Sequence, residues 1–312
     1  MDNLVIATNA VVPFMVYIMI GAIARKLGLV KETFLRELNG VIFRVFFPFI
    51  MFNNLYDADF STLKDAGYVL FALVATLIVV VISFFVVPLF EKDNRRRGVI
   101  EQAIFRSNSV LFAIPLANSV LGAEASTKSS IIVAFLVPVY NICSVFILEY
   151  YRGGKASAGV VVKNVLRNPL IVGAIAGAIF NILPVTMPTC LIKPITQLSD
   201  LATPMALFVL GGTLHFSDLR KNAFPLAVGT GIKLILLPAL ITYIMALMNY
   251  GPSELFAVFC MFATPVAAAS FPMAQSMDAD ADLAGEYVVV STLLAIVTIF
   301  IWILVLKNLG LI

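Results

Sequence analysis

Long apolar stretches, each closed by charged or turn-forming residues, dominate the chain. Ten are predicted to be helices, covering residues 4–24, 34–56, 66–90, 98–121, 128–150, 169–187, 194–215, 223–248, 254–277 and 281–306. In most of them the apolar residues do not keep to one face, as they would on a surface helix of a water-soluble domain, and each run approaches or exceeds the roughly 20 residues that cross a bilayer. The pattern therefore predicts an all-α polytopic membrane protein of ten spans. Arg25 and Lys26 follow the first run, the reverse of the charge order of a cleaved leader, so span 1 is expected to stay in the membrane.

Composition agrees. Of 312 residues, 61% are hydrophobic and 12% charged, with a mean hydropathy of +1.01; soluble domains carry about 25% charged residues. The net charge of +3 is not a nucleic-acid signature, because the basic residues sit in short clusters between apolar runs. Those clusters are Arg25, Lys26, Lys31 and Arg36; Lys92, Arg95, Arg96 and Arg97; Arg152, Lys155, Lys163 and Arg167; and Arg220 and Lys221. All fourteen fall on one side of a ten-span plan, against Lys64, Lys128, Lys193 and Lys307 on the other. The positive-inside rule then puts both termini outside. Three scattered cysteines and the single His215 leave no metal or disulfide framework, and no cofactor is expected.

Sliding the chain against itself by 156 residues aligns Pro13 with Pro169, Gly21 with Gly177 and Pro48 with Pro204. Phe60, Ser61, Leu63 and Lys64 fall on Phe216, Ser217, Leu219 and Arg220; after one inserted residue Pro115, Ala117 and Ser119 fall on Pro272, Ala274 and Ser276. The expected organisation is a first five-helix repeat over residues 1–152, a cytosolic linker over 153–168 containing Gly153-Gly154, and a second repeat over 169–312. Five is odd, so the second copy enters the membrane upside down. Inverted repeats are an architecture of secondary transporters, with the site where the repeats meet.

Spans 4 and 9 carry the residues that a lipid-facing helix avoids: Arg106-Ser107-Asn108-Ser109 leading to Pro115 and Asn118, and Thr264-Pro265 leading to Pro272 and Gln275. At 1.5 Å per residue both breaks lie near mid-membrane, and with an offset of 157 Asn108 and Pro265 are equivalent. Thr264 before Pro265 has the form of an N-cap followed by proline at N1, and Ser107 or Asn108 could cap the second half of span 4. Two half-helix amino termini with Arg106 beside them would gather about two positive charges at one point. The substrate-binding set expected from this is Arg106, Ser107, Asn108, Ser109, Pro115, Asn118, Thr264, Pro265 and Gln275. Arg44, Lys233 and Asp200 are further charges within spans. A charge at helix centre costs roughly 2.5–3.5 kcal/mol even on insertion scales, so coupling of transport or pairing of helices is expected of them.

The stretch Phe105-Arg106-Ser107-Asn108 to Ile114-Pro115-Leu116-Ala117 resembles the span 4 motif of the auxin efflux carrier family. Pro265, Ala267, Ala274, Leu283-Ala284 and Ser291-Thr292-Leu293-Leu294 look like its span 9 to span 10 signature, and Lys233-Leu234 with Pro238 is similar to its span 8. The resemblance implies two inverted five-helix repeats with crossed, broken spans 4 and 9, an architecture like that of sodium/proton antiporters and bile-acid transporters, with a scaffold and a moving transport domain. It implies secondary transport of an organic anion: auxin in plants, malate, malonate or a similar carboxylate in bacteria. Where the family often has a polar residue after the span 9 proline, this chain has Ala267-Ala268-Ala269, and it lacks the long insert after span 5 of many plant members. A compact bacterial-type carrier of the inner (plasma) membrane is therefore expected. Its expected partners are a small organic anion, a proton or sodium ion for coupling, membrane lipid and a second copy of the chain. The competing readings are a sodium- or proton-coupled symporter or antiporter of the same fold, and a receptor or sensor derived from a carrier. An enzyme is not expected, because no His/Glu pair, paired mid-membrane aspartates or Ser/His set is present.

Overall fold

A computed structural model describes residues 2–58, 67–152, 158–183, 186–214 and 220–312. The Gly153-Gly154 linker, His215 and most of the loop residues aligned by the repeat lie outside these. The described residues form helices joined by turns and short connections, with one isolated antiparallel bridge. Its helices are α1 (Asp2–Lys26), α2 (Glu32–Val41), α3 (Phe47–Tyr56), α4 (Gly67–Phe90), α5 (Asn94–Phe105), α6 (Ser109–Leu121), α7 (Ala123–Arg152), α8 (Ala158–Arg167), α9 (Pro169–Ile182), α10 (Thr189–Thr213), α11 (Ala223–Gly231), α12 (Leu237–Leu247), α13 (Pro252–Ala263), α14 (Ser270–Ser276) and α15 (Ala281–Asn308). Wide π turns, Ile42–Phe46 and Ile232–Leu236, join α2 to α3 and α11 to α12 into continuous rods and carry Arg44 and Lys233.

By length and composition five rods can cross a membrane: Glu32–Tyr56, Gly67–Phe90, Ala123–Arg152, Ala223–Leu247 and Ala281–Asn308. The pair α8 and α9, bent by 66° at their junction, is together apolar and long enough to form either a broken sixth span or a re-entrant loop. The chain is thus an α-helical polytopic membrane protein. Spans 4 and 9 reach that length only when α5 is taken with α6 and α13 with α14. The segment expected as linker holds α8, whose exposed Val160, Val162 and Leu166 alternate with polar Lys163, Asn164 and Arg167. Asp278, Asp280, Asp282 and Glu286 fall within nine residues of sequence, and only part of that stretch is loop. Asp280 caps α15 by accepting from Leu283 N at 3.0 Å, and Glu286 is buried inside α15, accepting from Asn222 Nδ2 at 2.7 Å.

Two groups of helices make up the body. One is α1, α2–α3, α9 and α10, in which α1 lies against α10 and α3 against α9. In these pairs the backbones nearly touch: a Cβ added at Gly21 would lie 1.9 Å from Phe208 O, and one at Gly177 would lie 2.3 Å from Phe52 O. The same contact is made twice, because Gly177 is 156 residues after Gly21 and Phe208 is 156 after Phe52. The second group is built around α13, where every residue from Leu255 to Ala263 is buried, and α5, buried from Gly98 to Phe105. Helices apolar or enclosed on all faces belong at the centre of a bundle, and these two are the first halves of the segments expected as spans 4 and 9.

Candidate functional site: the crossing of the broken spans

The two breaks have different local causes. Pro265 has no N–H and drives Thr264 into extended backbone (φ −76°, ψ 154°), which ends α13 at Ala263. In span 4 no proline is adjacent; Ser107, Asn108 and Ser109, whose side chains compete with helical hydrogen bonding, mark the break instead, and Arg106 is extended (φ −86°, ψ 117°). The freed backbone groups satisfy one another. Asn108 N donates to Pro265 O at 2.8 Å, Ser107 and Val266 form the antiparallel bridge, and Val266 N donates to Ser291 Oγ at 3.0 Å. Irregular backbone at membrane depth is tolerated only when buried and paired in this way.

Two cations converge on this crossing. Arg106, 3% exposed, donates from Nη2 to Asn141 Oδ1 at 2.6 Å and from Nη1 to Met273 Sδ; Asn141 is itself held by Val137 O at 2.8 Å. Lys233 is fully buried, and its ammonium donates to Ser107 Oγ. Among the described residues neither has a carboxylate within 4.0 Å. The carboxyl ends of α5 and α13 offset about half a charge each and the amino end of α6 adds about half, so the crossing keeps a surplus of roughly one and a half positive charges. Asn108 adds a donor, since its buried Nδ2 has no partner.

The expected caps need correction. Thr264 ends α13 instead of starting α14, which begins only at Ser270 with Ala269 at the N-cap. Pro265 is therefore not at N1, and the seven-residue α14 brings no second anion-facing helix end. On the other side of the crossing Asn108 is the N-cap residue of α6 but makes no side-chain cap. The positive charge comes from side chains, with one helix end assisting.

Arg106, Ser107, Asn108 and Ser109 line a cavity of about 550 Å³, walled by α1, α3, α7, α10 and Ala267-Ala268-Ala269. Asp57 and Asp200 also line it. Asp57, one residue past α3, is solvent-exposed and still desolvated enough by its surroundings to push its carboxyl above the usual value. The other expected residues lie elsewhere. Pro115 and Asn118 are exposed further along α6. Gln275 lines a separate cavity with Arg36, Asp93 and Arg95, and Arg44 another with Arg152 and Arg167.

Residues 6–303 match the family described as membrane transport protein. Over 313 residues, 96% of this chain and 98% of the relative, the sequence is 26% identical to an uncharacterised transporter of Methanothermobacter thermautotrophicus. Over 299 residues, 94% of this chain and 93% of the relative, it is 24% identical to a Rhizobium meliloti protein provisionally named a malonate transporter. The chain belongs to this family, that of the auxin efflux carriers. Membership makes it a membrane transporter. For this family member, sequence reasoning missed Tyr140, Asn141 and Met273, all of which are buried at or beside the crossing. The adjacent polar pair Tyr140-Asn141, two residues after Pro138 and within the apolar run from Ile131 to Cys143, was the available signal.

Proposed function

We propose that this transporter is a secondary carrier of a small organic anion, a short dicarboxylate such as malonate or malate, working by alternating access. One observation carries the reading: the buried Arg106 guanidinium and the unpartnered Asn108 side-chain amide line the 550 Å³ cavity, buried Lys233 holds Ser107 of the same lining, and neither cation has a carboxylate partner among the described residues. Leaving such charges unpaired in a membrane is costly unless an anion takes them up in part of a cycle, and the volume suits a small molecule. The Rhizobium relative's name supports a dicarboxylate. Ten spans in two inverted five-helix repeats are supported by the twofold occurrence of the glycine contact. With the clustered basic residues inside, both termini lie outside and the cavity opens outward past Asp57, Ser199 and Asp200. The test is counterflow and uptake in proteoliposomes with a panel of mono- and dicarboxylates, with and without pH or sodium gradients. Saturable exchange of a dicarboxylate is expected; a panel without any exchange rejects the reading.

Asp200 faces the same cavity as Arg106 and is proposed as the coupling acid. Asp200→Asn is then expected to abolish accumulation driven by a pH gradient while counterflow persists. Gradient-driven accumulation at the wild-type level in the variant would remove Asp200 from coupling.

A further inference from the structure

We propose that the cavity of about 790 Å³ lined by Arg44, Arg152 and Arg167 is the inner vestibule of the transport path, and that Arg44 sets the positive potential which collects the anion there. The proposal rests on the transporter reading and its orientation. Arg44 is twelve residues along the continuous 25-residue rod Glu32–Tyr56, about 18 Å from its start and close to half its length. It is exposed and, among the described residues, makes no hydrogen bond or ion pair. Hydrocarbon does not solvate a guanidinium, so the space in front of Arg44 must be wet, and a water-filled basin reaches mid-depth from the side opposite the first cavity.

Charge sorts the openings on that side. This basin has three guanidiniums and one lining carboxylate, Glu149, which accepts from Asn164 Nδ2 at 2.5 Å. Arg152 is partly neutralised by Asp278 at 2.6 Å, whereas Arg44 and Arg167 are not. The neighbouring cavity of about 380 Å³ has Asp93, Asp278, Asp280 and Asp282 against Arg36 and Arg95, a lining that repels an anion.

Only a thin layer separates the basin from the crossing. Phe43 lines the basin and Phe47, one turn on, lines the first cavity; both are buried. Along α14, the N-cap residue Ala269 borders the first cavity and the last residue, Ser276, the basin. Asn39 Nδ2 donating to Pro272 O at 3.4 Å and Asn168 Nδ2 to Met277 Sδ at 3.7 Å join the two helix groups across that layer. These are weak, long contacts of the kind that a moving transport unit can break.

The test places Asn164→Cys, a lining and exposed position, in full-length protein whose Cys143, Cys190 and Cys260 are replaced by alanine. In inside-out vesicles it is labelled with anionic sulfonate and cationic trimethylammonium thiosulfonate reagents. Arg44→Gln should lower the anion-to-cation rate ratio about fourfold, the effect of a unit charge roughly 10 Å away in water, and Arg44→Lys should restore it. In the same vesicles Arg44→Gln should raise the half-saturating dicarboxylate concentration on the cytosolic side and leave the outer side unchanged. An unchanged labelling ratio, a changed ratio with unchanged cytosolic half-saturation, or labelling only from the outside would each overturn the proposal. So would an Arg44 effect confined to vesicles containing phosphatidylglycerol, which would give the site to a lipid headgroup. Wild-type protein that carries no dicarboxylate would instead reject the proposed dicarboxylate transport, while the labelling ratios would still report the basin.

Discussion

Arg106→Ala should lose nearly all anion binding. The guanidinium is buried at the crossing with polar partners but, among the described residues, no carboxylate, and truncating a buried, hydrogen-bonded charge costs about 2–5 kcal/mol, from about thirtyfold to several thousandfold in Kd. Arg106→Lys should keep part of the affinity, since it retains a point charge without the planar fork that grips a carboxylate. Stability must be read separately, because the alanine variant also strands Asn141 Oδ1. An unsatisfied buried acceptor costs about 1–3 kcal/mol, and relief of repulsion between Arg106 and Lys233 opposes that. The deciding measurement is the rise in Tm on adding substrate, which reports binding to the folded state alone. It should be large in wild type, reduced in Arg106→Lys and absent in Arg106→Ala. An Arg106→Ala protein that binds dicarboxylate with native affinity would disprove the anion site.

Gly21→Ala and Gly177→Ala should each destabilise the fold by about 3 kcal/mol or more, the upper end for overpacking. The new methyl would meet a main-chain carbonyl, at 1.9 Å in one case and 2.3 Å in the other, and a carbonyl inside a helix cannot rotate away. Helices α1 and α10, or α9 and α3, would have to separate along their whole contact. Gly40→Ala is the control. Gly40 lies in α2 with nothing within 4 Å of an added Cβ, so the substitution should stabilise by about 0.5–1 kcal/mol through helix propensity. Thermal melting in detergent checks all three, and equal behaviour of Gly21 and Gly40 would refute the close packing.

Much of this was legible along the chain. Apolar runs located the helices because each span must be apolar for its full length, and the breaks at Asn108 and Pro265 were visible because polar residues and proline are unfavourable there. Direction and partner were harder. Lys233 meets Ser107, 126 residues earlier in the sequence, from a π turn that no local pattern announces. The start of α14 was misjudged for a physical reason. Ala267-Ala268-Ala269 has the highest helix propensity available, yet these residues are not helical, since Pro265 has interrupted the ladder and Val266 N is taken by Ser291 of α15. Tertiary bonding outweighed propensity. Asn141 was passed over because one amide in a thirty-residue helix reads as neutral until its guanidinium partner is seen.

The glycine-mediated contacts also set the order in which the protein can be completed. The surface of α1 around Gly21 is shaped to the backbone at Phe208, 187 residues later. At a synthesis rate of roughly 5–20 residues per second, that partner emerges about 10–40 s after α1 itself. Throughout that interval the surface of α1 around Gly21 is without the carbonyl it is shaped to, and α3 waits likewise for α9. A chain halted after α7 would therefore hold α1 and α3 without these contacts, which makes their packing a late event in the assembly of this transporter.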